Sequence, residues 1–204
     1  VDYSLDIDYP RMGNYKWDVG SEKIILRGRG VNRQSFYLVD LALGDTTIYL
    51  DSSVFNHEGA YVPVLKWNLS KDGSMMLIQS QRDRIWRHSN TGTYYILDIA
   101  QRSLAKVSDK NDLLRNVKIS PDNRWLSYIR EDNNLYAYNI KRKREKKLTR
   151  TGSETILNGH YGWVYEEELS GFDGYRWSPD SKYIAYVEED QSEVGRFTMI
   201  DELQ

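Results

Sequence analysis

The chain has 204 residues, and its 28 Lys and Arg nearly balance 30 Asp and Glu, for a formal net charge of −2. That balance argues against nucleic acid as the main partner, since phosphate binding needs a clustered positive field. Zero Cys excludes disulfides and thiol chemistry, and the lack of an 18-residue apolar run leaves no helix able to span a membrane. No signal peptide is legible at Val1. Sixteen Tyr and six Trp favour strands over helices.

Taken in chain order, the sequence repeats itself. Trp17-Asp18-Val19-Gly20 opens a first unit, and an apolar strand is expected at 36–41. Trp67-Asn68-Leu69-Ser70-Lys71-Asp72-Gly73 opens a second, with strands expected at 75–78 and 94–99. Val117-Lys118-Ile119-Ser120-Pro121-Asp122-Asn123 opens a third, followed by strands at 125–129 and 135–140 and a weak fourth at Lys147-Leu148-Thr149. Tyr175-Arg176-Trp177-Ser178-Pro179-Asp180-Ser181 opens a fourth, with strands at 183–187 and 197–200. Ser70 to Ser120 is a step of 50 residues, and Ser120 to Ser178 a step of 58. In each unit a turn of the Ser-Pro-Asp-Gly type joins two strands, because Pro presets φ and Asp or Asn bonds the local backbone.

Four short antiparallel strands repeated at this period predict an all-β fold, a β-propeller. The units fall at about 14–60, 61–110, 111–150 and 174–204, with an inter-blade insertion at 151–173. The last is incomplete, so the chain is expected to supply about four blades of a larger ring. Helical patterning is confined to a turn near 163–169.

Blade connectivity places two expansions at one end. Strands in a blade run up, down, up, down, so the turn between the second and third strands shares a face with the link to the next blade. The long 81–92 loop is a turn of the first kind and carries Trp86-Arg87-His88-Ser89; the 150–174 link is of the second kind and carries Glu166-Glu167-Glu168. Long loops on a repetitive scaffold are preferred places for function. Three adjacent carboxylates repel one another and persist most easily where a cation is expected. Arg87 and Glu167 are therefore expected on the same rim. The basic run 141–147 falls at the opposite end and reads as a solvated hairpin.

Two segments resemble the dipeptidyl peptidase IV family of serine exopeptidases. One is Trp86-Arg87-His88-Ser89 followed by Tyr94-Tyr95-Ile96-Leu97-Asp98. The other is Asn158-Gly159, Trp163-Val164-Tyr165-Glu166-Glu167-Glu168 and Trp177-Ser178-Pro179. The resemblance implies an eight-bladed propeller joined to a C-terminal α/β-hydrolase domain, and removal of dipeptides with Pro or Ala in second position. It implies that Glu167 and Glu168 bind the substrate's free α-ammonium and that Arg87 orders both substrate and glutamates, with Glu166, Tyr165 and Trp163 supporting. Gly162 stands where the family commonly has Asp, and Ser170 and Gly171 are smaller than the usual neighbours.

The family's G-W-S-Y-G nucleophile motif does not occur in the chain. No catalytic residue is therefore assigned here, and this chain by itself is expected to be inactive. The expected partners are a peptide with a free N-terminus, the missing hydrolase domain and, as a candidate assembly, a second copy of the chain. No cofactor or metal is expected, since His57 and His160 lack metal-ligand spacing. The resemblance suggests a periplasmic, cell-envelope or extracellular setting. Two alternatives stand beside it: a non-catalytic propeller acting as a binding or scaffold module, and a relative that releases tripeptides. Asp72, Asp122 and Asp180 are assigned to turns, His88 to local packing, and Trp17, Trp67 and Trp177 to blade core.

Overall fold

The computed structural model describes residues 15–28, 35–108, 110 and 113–195; the strand expected at 197–200 lies outside them. A first sheet is the meander β1 (Tyr15–Trp17), β2 (Lys23–Arg27), β3 (Phe36–Asp40) and β4 (Thr46–Leu50). A small hairpin, β5 (Asn56–His57) and β6 (Ala60–Tyr61), follows. The second sheet combines β7 (Lys66–Leu69) and β8 (Met75–Gln79) with strands that return after a second hairpin, β9 (Asp83–Arg84) and β10 (Asn90–Thr91). Those strands are β11 (Tyr94–Asp98) and β12 (Ser103–Lys106), and the sheet order is β12-β11-β8-β7. The third sheet is β13 (Arg115–Ile119), β14 (Trp125–Ile129), β15 (Leu135–Asn139) and β16 (Arg144–Lys147). The remaining described chain gives β17 (Ile156–Asn158), α1 (Trp163–Leu169), β18 (Tyr175–Trp177), β19 (Ile184–Tyr186) and β20 (Glu188–Asp190). β18 pairs with β19, whereas β20 turns back onto β17.

The chain forms two compact units. One is drawn from residues 1–82 and 92–111 and holds the first two sheets; the other is drawn from 83–91 and 112–204. The first unit packs around Ile25, Phe36, Phe55, Trp67, Met76 and Leu97. Phe36 meets Trp67 edge-on at 5.0 Å, a favoured aromatic geometry. In the second unit Ile129, Leu135 and Tyr175 form a smaller buried cluster against Leu148 and Ile184.

One local device builds the repeated turn. Ser70 Oγ donates to Asp72 Oδ1 at 2.8 Å and accepts the Met75 N–H at 3.0 Å. Ser120 does the same with Asp122 and Trp125, at 2.7 and 3.0 Å. Ser178 repeats it with Asp180 and Tyr183, at 2.6 and 2.9 Å. Three residues after each Ser the backbone enters the left-handed region, at Gly73 (φ 75°), Asn123 (φ 59°) and Ser181 (φ 61°). The carboxylates are thus occupied by turn chemistry.

Several boundaries differ from expectation. The weak fourth strand sits earlier, at Arg144–Lys147, because its register with β15 runs Tyr136↔Lys147 to Asn139↔Arg144. The basic run is therefore half edge strand, with Lys147 Nζ 2.8 Å from Asp132. The strand expected at 183–187 breaks at Val187, whose N–H donates to Gly174 O and whose carbonyl accepts from Gly159 N–H, both at 2.8 Å. Trp67 is core, and Trp177 is half-buried with Nε1 donating to Ser127 Oγ at 2.8 Å. Trp17 is not core: it is 59% exposed at the end of β1, whereas Trp67, on the equally outer strand β7, packs against Phe36.

Candidate functional site

The site lies within the second unit and is built from the β9–β10 hairpin and α1. The hairpin pairs Asn90↔Arg84 and Thr91↔Asp83, which leaves residues 85–89 as its tip. Ile85 N–H donates to Ser89 O at 3.1 Å, and Arg84 Nε donates to Trp86 O at 2.9 Å. These bonds close the tip and project Arg87 outward.

α1 begins at Gly162, which has no capping side chain. Glu189 on β20 takes that role, its Oε2 accepting the Gly162 N–H at 2.8 Å while Gln191 Nε2 donates to its Oε1 at 2.6 Å. The β17–β20 pairing, Leu157↔Glu189, delivers the carboxylate. A Cβ on residue 162 would lie 1.8 Å from Gln191 Nε2, so a side chain here would displace Gln191 from Glu189. At the other end Ser170 sits at φ 54°, a left-handed C-cap usually filled by Gly. Ser170→Gly is expected to stabilise the intact protein by about 0.5–1 kcal/mol, the left-handed cost to a side chain less the entropy cost of Gly. A raised thermal midpoint would verify this; a lowered one would refute it.

Successive helical residues point about 100° apart, so the three glutamates fan out. Glu166 is fully buried, Glu167 half-buried and Glu168 exposed. Glu166 Oε1 accepts the backbone N–H of His88 at 2.6 Å and of Ser89 at 2.7 Å, which ties the hairpin tip to the helix. Arg87 Nε lies 2.9 Å from Glu167 Oε2. Arg87's side chain is 66% exposed and that of Glu167 15%, so the guanidinium faces solvent over a largely buried carboxylate. Glu168 is exposed and forms no ion pair among the described residues. Trp163 and Tyr165 lie on the exposed side of α1, Tyr165 with its ring 5.3 Å from that of Tyr161. Of the three supporting residues, only Glu166 sits beneath the pair. His88 stacks on Phe172 at 6.1 Å.

Arg115, not singled out in the sequence, and His160, read there only as lacking metal-ligand spacing, lie beneath these groups. Arg115 is buried, with Cζ 5.9 Å from the Trp86 ring and Nη2 4.0 Å from Glu166 Oε2. Burial pulls its pKa down to about 10, against the opposing pull of Glu166, so it stays cationic at neutral pH. Burial raises the Glu166 carboxyl, but Ser89, the His88 and Ser89 N–H groups and Arg115 outweigh it and leave the group below its ordinary value. His160 is buried, and burial first, then the Arg115 charge, lowers its pKa to about 3. Its Nε2 lies 2.9 Å from Asn133 Oδ1. Asn133 Nδ2 already donates to Ser153 O at 2.8 Å, so Oδ1 accepts and His160 carries its proton on Nε2. Among the described residues no cluster of three or more His, Asp or Glu is placed to hold a metal. No helix among them is long and apolar enough to cross a membrane.

Residues 70–204, which contain the hairpin tip and all of α1, match the family described as "Dipeptidyl peptidase IV (DPP IV) N-terminal region". The chain belongs to the dipeptidyl peptidase IV family. Among relatives of this family, dipeptidyl aminopeptidase B of Saccharomyces cerevisiae is 33% identical over 165 residues, covering 79% of this chain and 20% of that protein. Dipeptidyl peptidase 4 of Felis catus is 30% identical over 159 residues, covering 77% and 20%. The chain thus spans about a fifth of the length of these curated relatives. The crystal structure of Porphyromonas gingivalis dipeptidyl peptidase 4 superimposes on 94% of this chain and 27% of its own, with a TM-score of 0.80 at 23% identity. The dipeptidyl peptidase IV fold is therefore shared: the four-stranded meanders are blades of a partial propeller, and among the described residues no sheet closes on itself.

Proposed function

We propose that this chain is the substrate-recognition part of the propeller of a serine dipeptidyl peptidase, in which Glu167 and Glu168 anchor the α-ammonium of a peptide. The observation that carries the reading is the Arg87–Glu167 contact beside an exposed Glu168. An α-amino group titrates near 7.7–8.0 and is mostly cationic at neutral pH. Two carboxylates give it charge-assisted hydrogen bonds, and Arg87 offsets their mutual repulsion while keeping guanidinium N–H groups for a peptide carbonyl. Fixing the amine fixes how many residues reach the scissile bond, so the site measures length and rejects blocked N-termini. The substrates are peptides with Pro or Ala in second position. The Ser nucleophile with its His base and Asp belongs to an α/β-hydrolase domain outside this chain. The whole protein works outside the cytoplasm, in the periplasm, cell envelope or medium, and a homodimer is its proposed assembly.

The test uses the intact protein with Gly-Pro and Ala-Ala-Pro chromogenic substrates, each free and N-acetylated. Hydrolysis of free Gly-Pro alone is expected, and Glu167→Gln and Glu168→Gln should each cut kcat/KM at least about tenfold, the worth of one charge-assisted hydrogen bond. Release from Ala-Ala-Pro instead would assign a tripeptide-releasing relative. Tight binding of free-amine peptides without turnover would assign the non-catalytic module. Unchanged kinetics in both variants would remove the glutamates from the site.

A further inference from the structure

We infer that Arg115 is a positioning residue for the amine-recognition pair, acting through Trp86 and Glu166; the inference rests on the recognition reading given above. β13 pairs with β14 as Lys118↔Ser127 and Ile119↔Leu126, but Arg115 faces Ile129, one residue out of step. The extra residue makes a bulge, and within it Asn116 takes φ 53°. A one-residue slip moves a side chain to the other face of a strand, so the bulge re-aims Arg115. The bulge itself is tied down. Asn116 Nδ2 donates to Phe172 O at 2.9 Å, and the Tyr175 hydroxyl donates to Asn116 O at 2.5 Å.

Aimed this way, the Arg115 side chain is 8% exposed and reaches both segments that carry the recognition groups. Its Cζ lies 5.9 Å from the ring of Trp86, the residue before Arg87. Its Nη2 lies 4.0 Å from Oε2 of Glu166, the residue before Glu167. Glu166 in turn accepts the N–H groups of His88 and Ser89, on the far side of Arg87. One guanidinium therefore touches both the hairpin tip and α1, beneath the direct bonds by which Glu166 joins them. Its Nε and Nη2, with Glu166 Oε2, are buried without a hydrogen-bond partner among the described residues. Buried charges with such unused capacity return little stability, and a fixed geometry is what the arrangement does provide.

The test measures kcat and KM of the intact enzyme for Gly-Pro-p-nitroanilide and its N-acetyl counterpart. The parent is compared with Arg115→Lys and with the double variant Arg115→Met/Glu166→Gln, which leaves no unpaired buried charge. In the variants KM for the free-amine substrate should rise about tenfold, as expected when a recognition group is misplaced. kcat should stay within about twofold, and the preference for the free amine should fall with KM. A parent with no free-amine preference would sink the recognition reading itself. A parent with that preference, and folded variants that keep both KM and preference, would overturn this inference alone. Loss of the fold in both variants would make Arg115 a purely structural residue and reject the positioning role.

Discussion

Glu166→Gln and Arg115→Met, made singly, are each expected to lower the unfolding free energy of the intact protein by about 3–5 kcal/mol, and the double substitution to recover most of that loss. The reason is the depth of the pair. Glu166 is fully buried and Arg115's side chain is 8% exposed, with Nη2 and Oε2 4.0 Å apart. At that distance and an effective dielectric of about 20, the attraction is about 4 kcal/mol. Desolvating two ions costs several kcal/mol each, so the intact pair is close to neutral for folding. Removing one partner leaves the other charge buried and uncompensated, and the full penalty appears. Gln at 166 still offers an oxygen to the His88 and Ser89 N–H groups, so the double variant keeps the tie between hairpin and helix and loses only the two charges. Chemical denaturation of the four proteins closes the cycle. Additive losses in the double variant would mean that the two side chains are not coupled.

Much of the fold was legible in the sequence because its information is local. The Ser-x-Asp turns repeat contacts between residues two and five positions apart, and each can be read from a single window. The approach of Arg87 to Glu167, 80 residues away in sequence, was legible for a topological reason: strand alternation in a meander puts both expansions at one end. What lay beneath them was not. Regular pairing would set Arg115 opposite Arg130, and only the register slip at Asn116 sets it opposite Ile129 and reverses its face. Asn116 is of a type that tolerates the left-handed region, but a lone Asn does not say that a strand slips register there. The cap from Glu189 was equally hidden, because it depends on β20 leaving β19 for β17, a long-range choice no local pattern encodes. Trp17 misled for the reverse reason: its motif copies that of Trp67, and both strands are edges, but Trp67 packs on Phe36 while Trp17 stays 59% exposed.

The same buried base predicts how the second unit responds to acid. Below pH 6.5 an unfolded chain protonates His160, while the folded chain refuses the proton until about pH 3, because burial and the Arg115 charge oppose it. The unfolded state then binds more protons than the folded state, so stability falls as pH falls through this window. The limiting slope is about 1.4 kcal/mol per pH unit, and the accumulated loss is about 2 kcal/mol by pH 5. Glu166 acts in the same direction at lower pH, since its carboxyl is held below the ordinary 4.5 and its contribution is lost as pH drops through the folded value. The interval from 4.5 to 6.5 therefore isolates the imidazole. His160→Gln offers an amide N–H to Asn133 Oδ1 in place of Nε2–H and cannot titrate. Denaturation midpoints measured at pH 7.5, 6 and 5 should decline in the parent and stay level in the variant. Equal slopes in the two proteins would show that His160 takes up its proton in the folded state, and the neutral imidazole would have to be abandoned.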